Sequence, residues 1–246
     1  MSDSIQTAVV TGASRGFGRA IAAALVAAGT HVVGIARDER ALQAVRDELG
    51  ERFVPVAADA TDESVAQHVI RTHRPSLLVL NAGIAPLMAP VHEQTWESFS
   101  ANWHNDTHHM FSWTKTALRE PLAPGSTVLA MSSGAAIAGS PLSGGYASAK
   151  AAIRYIRGYA ADESTRASLG IRFVTLLPQL TPATGLGSHG VAGYAARQGV
   201  DRDTFVEGLQ PILTPDQVAK AVLEIVSDKD SAPEYQISGA GLRPLT

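Results

Sequence analysis

Short apolar runs alternate along this chain with longer stretches whose apolar residues recur every three or four positions. The runs TAVVTG (7–12), HVVGIA (31–36), RFVPVAA (52–58), SLLVLNAG (76–83), STVLAMSS (126–133), RFVTLLP (172–178) and EYQIS (234–238) are rich in Val, Leu and Ile. Most are apolar on both faces, as strands are when a parallel sheet is covered on both sides. The stretches at 16–28, 38–49, 62–73, 95–118, 143–168 and 215–227 read as helices. This alternation predicts an α/β fold: a Rossmann-like, doubly wound parallel sheet of about seven strands flanked by helices. No repeat or linker divides the chain, so a single domain over 1–246 is expected.

Segment 179–211 breaks the rhythm. It is rich in Gly, Pro, Ser and Thr and contains short helical patches. It follows the sixth strand, near the carboxyl edge where such sheets bind ligands. A substrate lid loop is expected there; the alternative is a disordered surface loop.

Composition narrows the field. Hydrophobic residues make up 45% and charged residues 17%, which suits a buried core and not a disordered chain. The net charge is −3 with no long run of one sign, so neither nucleic acid nor a membrane surface is an expected partner. There are no cysteines, which removes disulfides and thiolate metal sites. The N-terminal MSDSIQTAVV has neither a basic region nor a long apolar run, so no signal peptide is expected and the expected location is cytoplasmic.

Candidate chemistry begins with TGASRGFGRA, which follows the first strand and opens a helix. Gly12, Gly16 and Gly18, with Ser14, Arg15 and Phe17 among them, leave room for a tight turn and for a pyrophosphate. The helix start at Gly16 offers free N–H groups and a partial positive charge to that anion. Between a strand and a helix, a glycine triplet is a much stronger signal than alone.

The second candidate is SGGYASAK (143–150), which places Tyr146 four residues before Lys150. On a helix the two side chains share a face. A free phenol titrates near ~10 and is a poor proton donor or acceptor at neutral pH. A neighbouring ammonium favours the phenolate, which would let such a group trade a proton with a carbonyl or alcohol oxygen. The small residues Gly144, Gly145, Ala147 and Ser148 are expected to leave room for a cofactor.

The spacing Gly-x-x-x-Gly-x-Gly, the NAG of Asn81, Ala82 and Gly83, the Tyr-x-x-x-Lys pair, and Ser133 thirteen residues before Tyr146 occur in one order between Thr7 and Gly239. Together they resemble the short-chain dehydrogenase/reductase family. The resemblance implies a dinucleotide-binding oxidoreductase that interconverts a ketone or aldehyde and an alcohol, with Tyr146 as general acid and base. Ser133 then hydrogen-bonds the reacting oxygen, and Lys150 also holds the nicotinamide ribose. Asp59, followed by Ala60, resembles the family's adenine-contacting Asp, though it is equally placed to cap the next helix. The resemblance also implies a homodimer or homotetramer.

An acidic residue at the end of the second strand selects NAD in this fold. Here that place reads Ala36–Arg37, and Arg37 and Arg15 can both offer guanidinium forks to a 2′-phosphate. NADP(H) is therefore expected over NAD(H).

The chain departs from the family pattern in two places. The family's fourth-helix asparagine falls on Asn105 or Asp106, and the offset does not choose between them. After the sixth strand, Pro178 matches but Gln179 replaces the usual Gly, leaving Thr181 and Thr184 both as candidates to touch the cofactor. His104 and His108 lie one helical turn apart, but no acidic partner stands at matching spacing, so packing or subunit contacts are expected rather than a metal. Trp96, Trp103 and Trp113 read as core and interface. Ile84, Leu87, Met88, Leu186, His189 and Tyr194 are expected to line the pocket of a medium-sized, mostly apolar carbonyl substrate. Two other readings use the same residues: a non-catalytic nucleotide-binding regulator, and a dehydratase or epimerase.

Overall fold

The computed structural model describes residues 6–245. The leader reading falls on 1–5, outside the described residues.

The seven expected strands appear as β1 (Thr7–Thr11), β2 (His31–Ala36), β3 (Phe53–Ala57), β4 (Leu77–Leu80), β5 (Thr127–Met131), β6 (Arg172–Pro178) and β7 (Glu234–Ser238). An eighth strand, β8 (Gly241–Pro244), pairs antiparallel with β7 at the edge. Its four residues, GLRP, are too short and too mixed to carry a strand pattern. The order is β3-β2-β1-β4-β5-β6-β7-β8, parallel up to β7. The chain thus moves outward from β1 in both directions, and a crevice opens between β1 and β4 at their carboxyl ends.

The uniformly apolar strands are explained by two cores. Ala8 and Val10 of β1 face α1 (Gly16–Ala27), α2 (Glu39–Leu49) and α10 (Pro215–Ser227). Val9, between them, faces α3 (Glu63–His73), α5 (His108–Arg119) and α7 (Gly144–Arg166). Side chains alternate across a strand, so a sheet covered twice needs apolar residues at successive positions. Trp113 anchors the second core: it is wholly buried and its Nε1–H donates to the Ala60 carbonyl at 2.9 Å.

Two expectations are corrected. The stretch 95–118 is not one regular helix. It divides into α4 (Trp96–Asn102), a π-turn at Trp103–Thr107, and α5. The stretch 179–211 is not a loop: it folds into α8 (Gly185–Gln198) and α9 (Arg202–Glu207). Thr184 caps α8 by accepting from the Gly187 N–H at 3.1 Å, and Asp201 caps α9. A short helix, α6 (Ala135–Ala138), completes the set. Among the described residues, no helix is long and apolar enough to cross a membrane.

Candidate active site

The carboxyl ends of β1, β2, β4, β5 and β6 open into a cleft of about 1230 Å³. The glycine loop forms one wall. Gly12 and Gly16 take left-handed backbone angles (φ +68° and +55°), which favour glycine. A Cβ on Gly18 would lie 2.2 Å from the Gly12 carbonyl oxygen, so this residue is small to let the loop close on itself. The first turn of α1 has no side-chain cap and no acidic residue. Its N–H groups are left for an anion, and Ser14, Arg15, Gly16 and Phe17 line the cleft there. This wall fits a dinucleotide pyrophosphate.

Asn81 has a tying role beside its lining one. Its side-chain amide donates to the carbonyls of Thr11 (3.0 Å) and Gly12 (3.4 Å), fixing β4 to the loop. Ala82 and Gly83 follow along the cleft. Asp59 is not the cap of α3, which is Asp62. It folds into a turn, accepting from the Thr61 N–H and hydroxyl at 2.9 and 2.8 Å. Those bonds, with Arg37 nearby, hold its carboxyl below the ordinary value. Ala60 lies beside it in the cleft wall.

Arg37 and Arg15 are exposed at this end, and neither makes an ion pair among the described residues. Asp38, which the sequence reading passed over, also lines the cleft. Its carboxylate is engaged as the cap of α2, accepting from the Ala41 N–H at 3.0 Å. Its place directly after Arg37 was the available signal.

The other wall holds Ser133, Tyr146 and Lys150. Ser133 sits just past β5, where its Oγ accepts from the Ala135 N–H at 3.2 Å and keeps its own proton to donate. Lys150 is 5% exposed, and its Nζ lies 5.5 Å from the centre of the Tyr146 ring. Three contacts fix it. Its ammonium donates to the Met131 carbonyl at 3.2 Å, its backbone carbonyl accepts from Ser132 Oγ at 2.8 Å, and Asp106 Oδ2 stands 3.2 Å from Nζ.

Of the two candidates, Asp106 and not Asn105 is the residue that reaches Lys150. The Asn105 amide turns back to the Ala101 carbonyl at 2.9 Å, although the residue touches the cleft. Asp106 is 1% exposed and its Oδ1 accepts from the Ile84 N–H at 3.1 Å. Its Oδ2 makes the ion pair with Lys150 at angles outside those of a hydrogen bond. A Cβ on residue 83 would meet that carboxylate at 3.0 Å, so Gly83 makes its room. Burial pushes the Lys150 ammonium down. Asp106 and Tyr146 outweigh it and hold the group above the usual lysine range. His109, on the same helix, is 2% exposed and packs edge-on against Trp113. Burial first and Lys150 second push it down to about 3, so its imidazole is neutral at ordinary pH.

The small residues around Tyr146 have a different cause from the one expected. A Cβ on Gly145 would lie 1.9 Å from the Phe99 carbonyl oxygen of α4. Ser148 Oγ accepts from Trp103 Nε1–H at 3.0 Å, and the Ala149 carbonyl accepts from Thr107 Oγ1 at 3.3 Å. Small residues here let α7 press against α4 and the π-turn. Of the tryptophans, Trp113 is core, while Trp96 and Trp103 are exposed.

The two candidate threonines part company. Thr181 is 2% exposed, and its hydroxyl is occupied with the Leu213 carbonyl and the Ala183 N–H. Thr184 faces the glycine loop: a Cβ on Gly16 would lie 3.6 Å from its methyl. Both line the cleft with Pro178 and Gln179, but Thr184 is the one aimed at the pyrophosphate wall.

A family model described as short chain dehydrogenase matches residues 6–189. A cis-4-hydroxycyclohexanecarboxylate dehydrogenase from Sinomonas cyclohexanicum is 34% identical over 238 residues, covering 92% of this chain and 91% of that one. A probable NADP-dependent dehydrogenase from Haemophilus influenzae is 39% identical over 98 residues, 37% of this chain and 39% of that protein's length. A short-chain dehydrogenase from Streptomyces avermitilis superposes with a TM-score of 0.79 at 26% identity, over 98% of this chain and 90% of that one. A 3-ketoacyl-(acyl-carrier-protein) reductase from Brucella melitensis, complexed with NADH, also reaches 0.79 at 22% identity, over 95% and 97% of the two chains, and shares the fold.

Proposed function

The chain belongs to the short-chain dehydrogenase family, and from that premise we propose that it interconverts a ketone or aldehyde and an alcohol with NADP(H) as hydride carrier. The observation that carries the reading is the buried Lys150 ammonium 5.5 Å from the Tyr146 ring, in one cleft with Ser133 and the glycine loop. Bound nicotinamide dinucleotide supplies the hydride in reduction and accepts it in oxidation.

Tyr146 gives its hydroxyl proton to the carbonyl oxygen during reduction and takes one from the alcohol during oxidation. The Ser133 hydroxyl donates to the same oxygen and stabilises charge as it grows there. Lys150 keeps a positive charge beneath the phenol, and Asp106 and the Met131 carbonyl keep it in place. The glycine loop and α1 hold the pyrophosphate, with Thr184 above it. Arg37 and Arg15 receive the 2′-phosphate, a preference supported by their exposure in the cleft and by the absence of an ion pair to either among the described residues. The exposed aromatics Trp96 and Phe111, with Tyr155 and Tyr159 stacked at 6.4 Å on α7, support assembly as a homodimer or homotetramer.

The test is NADPH and NADH oxidation by purified protein across a panel of ketones and aldehydes. Wild type should use NADPH. Tyr146→Phe should lower kcat/KM by roughly 10²- to 10⁴-fold with NADPH binding retained. Undiminished turnover in that variant would remove Tyr146 from its role.

A further inference from the structure

Helix α8 lines the cleft and is tied down by polar contacts. A His189 ring nitrogen lies 3.1 Å from the Pro86 carbonyl. Tyr194 stacks on Phe205 of α9 at 6.2 Å, nearly parallel, and its hydroxyl meets Ser140 Oγ. Ser140 Oγ in turn lies 2.6 Å from Ser143 Oγ. The three hydroxyls form a chain, Tyr194–Ser140–Ser143, whose two ends line the cleft.

The protons of this chain can be arranged in only two ways. A serine hydroxyl donates once and accepts at most twice. Ser140 Oγ already accepts from the Ser143 N–H at 3.0 Å. It must therefore accept from one end hydroxyl and donate to the other. Whichever way the chain runs, one end gives its proton to Ser140. The other receives a proton and keeps its own O–H free to donate into the cleft it lines. Ser143 is 5% exposed and caps no helix N–H with its side chain, so no other group among the described residues uses that capacity.

The charges of the cleft lie elsewhere. Arg15, Arg37, Asp38 and Asp59 stand at the glycine-loop end, and Lys150 is committed to Asp106 and Met131. Among the described residues lining the cleft, no lysine or arginine adjoins Ser143 or Tyr194, and the imidazole of α8, His189, has a ring nitrogen on the Pro86 carbonyl. A carboxylate brought there would lose its water without gaining a counter-charge.

We propose that the Tyr194–Ser140–Ser143 chain reads a second, uncharged oxygen on the substrate, so that the enzyme takes neutral carbonyl compounds bearing a distal hydroxyl or carbonyl and rejects a carboxylate in that place. This deepens the oxidoreductase reading above and rests on it for the reacting carbonyl.

Three ring ketones test it: 1,4-cyclohexanedione (a neutral second oxygen), cyclohexanone (none) and 4-oxocyclohexanecarboxylate (an anion). Each is titrated calorimetrically into the full chain with NADP⁺ present, and each is followed by NADPH oxidation. The dione should exceed cyclohexanone by about five- to tenfold, as one neutral hydrogen bond gives. It should exceed the carboxylate by at least about tenfold. In Tyr194→Phe or in Ser143→Ala, whichever removes the free proton, the dione-to-cyclohexanone ratio should fall toward one. A ratio unchanged in both variants, a preferred carboxylate, or no dione preference in either assay overturns the proposal. If either variant fails to fold, the wild-type ranking of the three ketones decides. Dione preference in binding with no NADPH oxidation leaves the recognition standing and removes the oxidoreductase reading. Equal handling of all three with brisk oxidation does the reverse.

Discussion

The glycine-loop wall and α8 are built on different terms. On the glycine-loop wall, backbone meets backbone: a Cβ on Gly18 would run into the Gly12 carbonyl at 2.2 Å, which cannot step aside. Along α8 the terms vary: a Cβ on Gly187 would lie 1.9 Å from the Thr181 carbonyl oxygen, but one on Gly193 would meet only the Met88 side chain, 2.9 Å from Cε and 3.0 Å from Cβ, which can shift. The glycine-loop wall is shaped to fit a pyrophosphate; the Gly193 end of α8 can be redrawn for a particular substrate. The difference implies that equal substitutions have unequal effects on the two sides.

Gly18→Ala should be the most damaging change. Overpacking against backbone costs about 3 kcal/mol, and the loop can no longer close, so NADPH affinity should fall more than about a hundredfold. Fluorescence titration and urea unfolding read both; a normal titration would mean the loop is not the pyrophosphate wall.

Asp106→Asn comes next. It leaves the Lys150 ammonium buried without its counter-charge, at a cost of about 3 kcal/mol in chemical unfolding. The sign with pH is definite. Lys150 holds its proton more tightly folded than unfolded, so this stabilisation is complete below the ordinary lysine value of 10.5 and drains as pH climbs through the raised one. The alkaline loss should be smaller in the Asn variant.

His109 gives the opposite window. Its folded value is depressed to about 3 from 6.5, so between those values the unfolded chain binds the proton and the folded one does not. Stability should fall as pH drops through that range, and His109→Leu should flatten the fall. An unchanged acid limb in the variant would place the acid sensitivity elsewhere.

Arg37→Ala should weaken NADPH by about tenfold and leave NADH nearly unchanged, the loss of one charge-assisted contact. Smallest of all, Gly193→Ala should cost under about 1 kcal/mol and leave cofactor binding intact while altering the ranking of substrates. An equal loss of cofactor affinity in Gly193→Ala and Gly18→Ala would erase the contrast between the walls.

The same contrast decides what could be read from sequence. The strands were legible because a doubly covered sheet demands continuous apolar runs, and Gly12, Gly16 and Gly18 because backbone geometry leaves no other residue. Lys150 and Tyr146 were legible because one helical turn fixes their spacing. The choice of Asp106 over Asn105 was not, since a π-turn shifts the phase of a helix without marking the sequence. Nor was α8, whose Gly185, Gly187, Gly190 and Gly193 argue against a helix one residue at a time. It forms because Thr184 caps it and because Gly187 and Gly193 admit the Thr181 carbonyl and Met88 closely. Thr181 and Thr184 were inseparable for a like reason: only the fold shows which hydroxyl is already spent.

The π-turn at Trp103–Thr107 has one more consequence. It amounts to a single surplus residue in an otherwise regular helix. Drawing that residue into regular α-helical winding, rather than bulging it out, would swing everything on one side of it by about 100° around the axis. In that smoother helix Asp106 no longer meets Lys150, so a tidier hydrogen-bond ladder would come with the loss of the buried ion pair. Selection for heat tolerance would therefore retain the irregularity rather than iron it out.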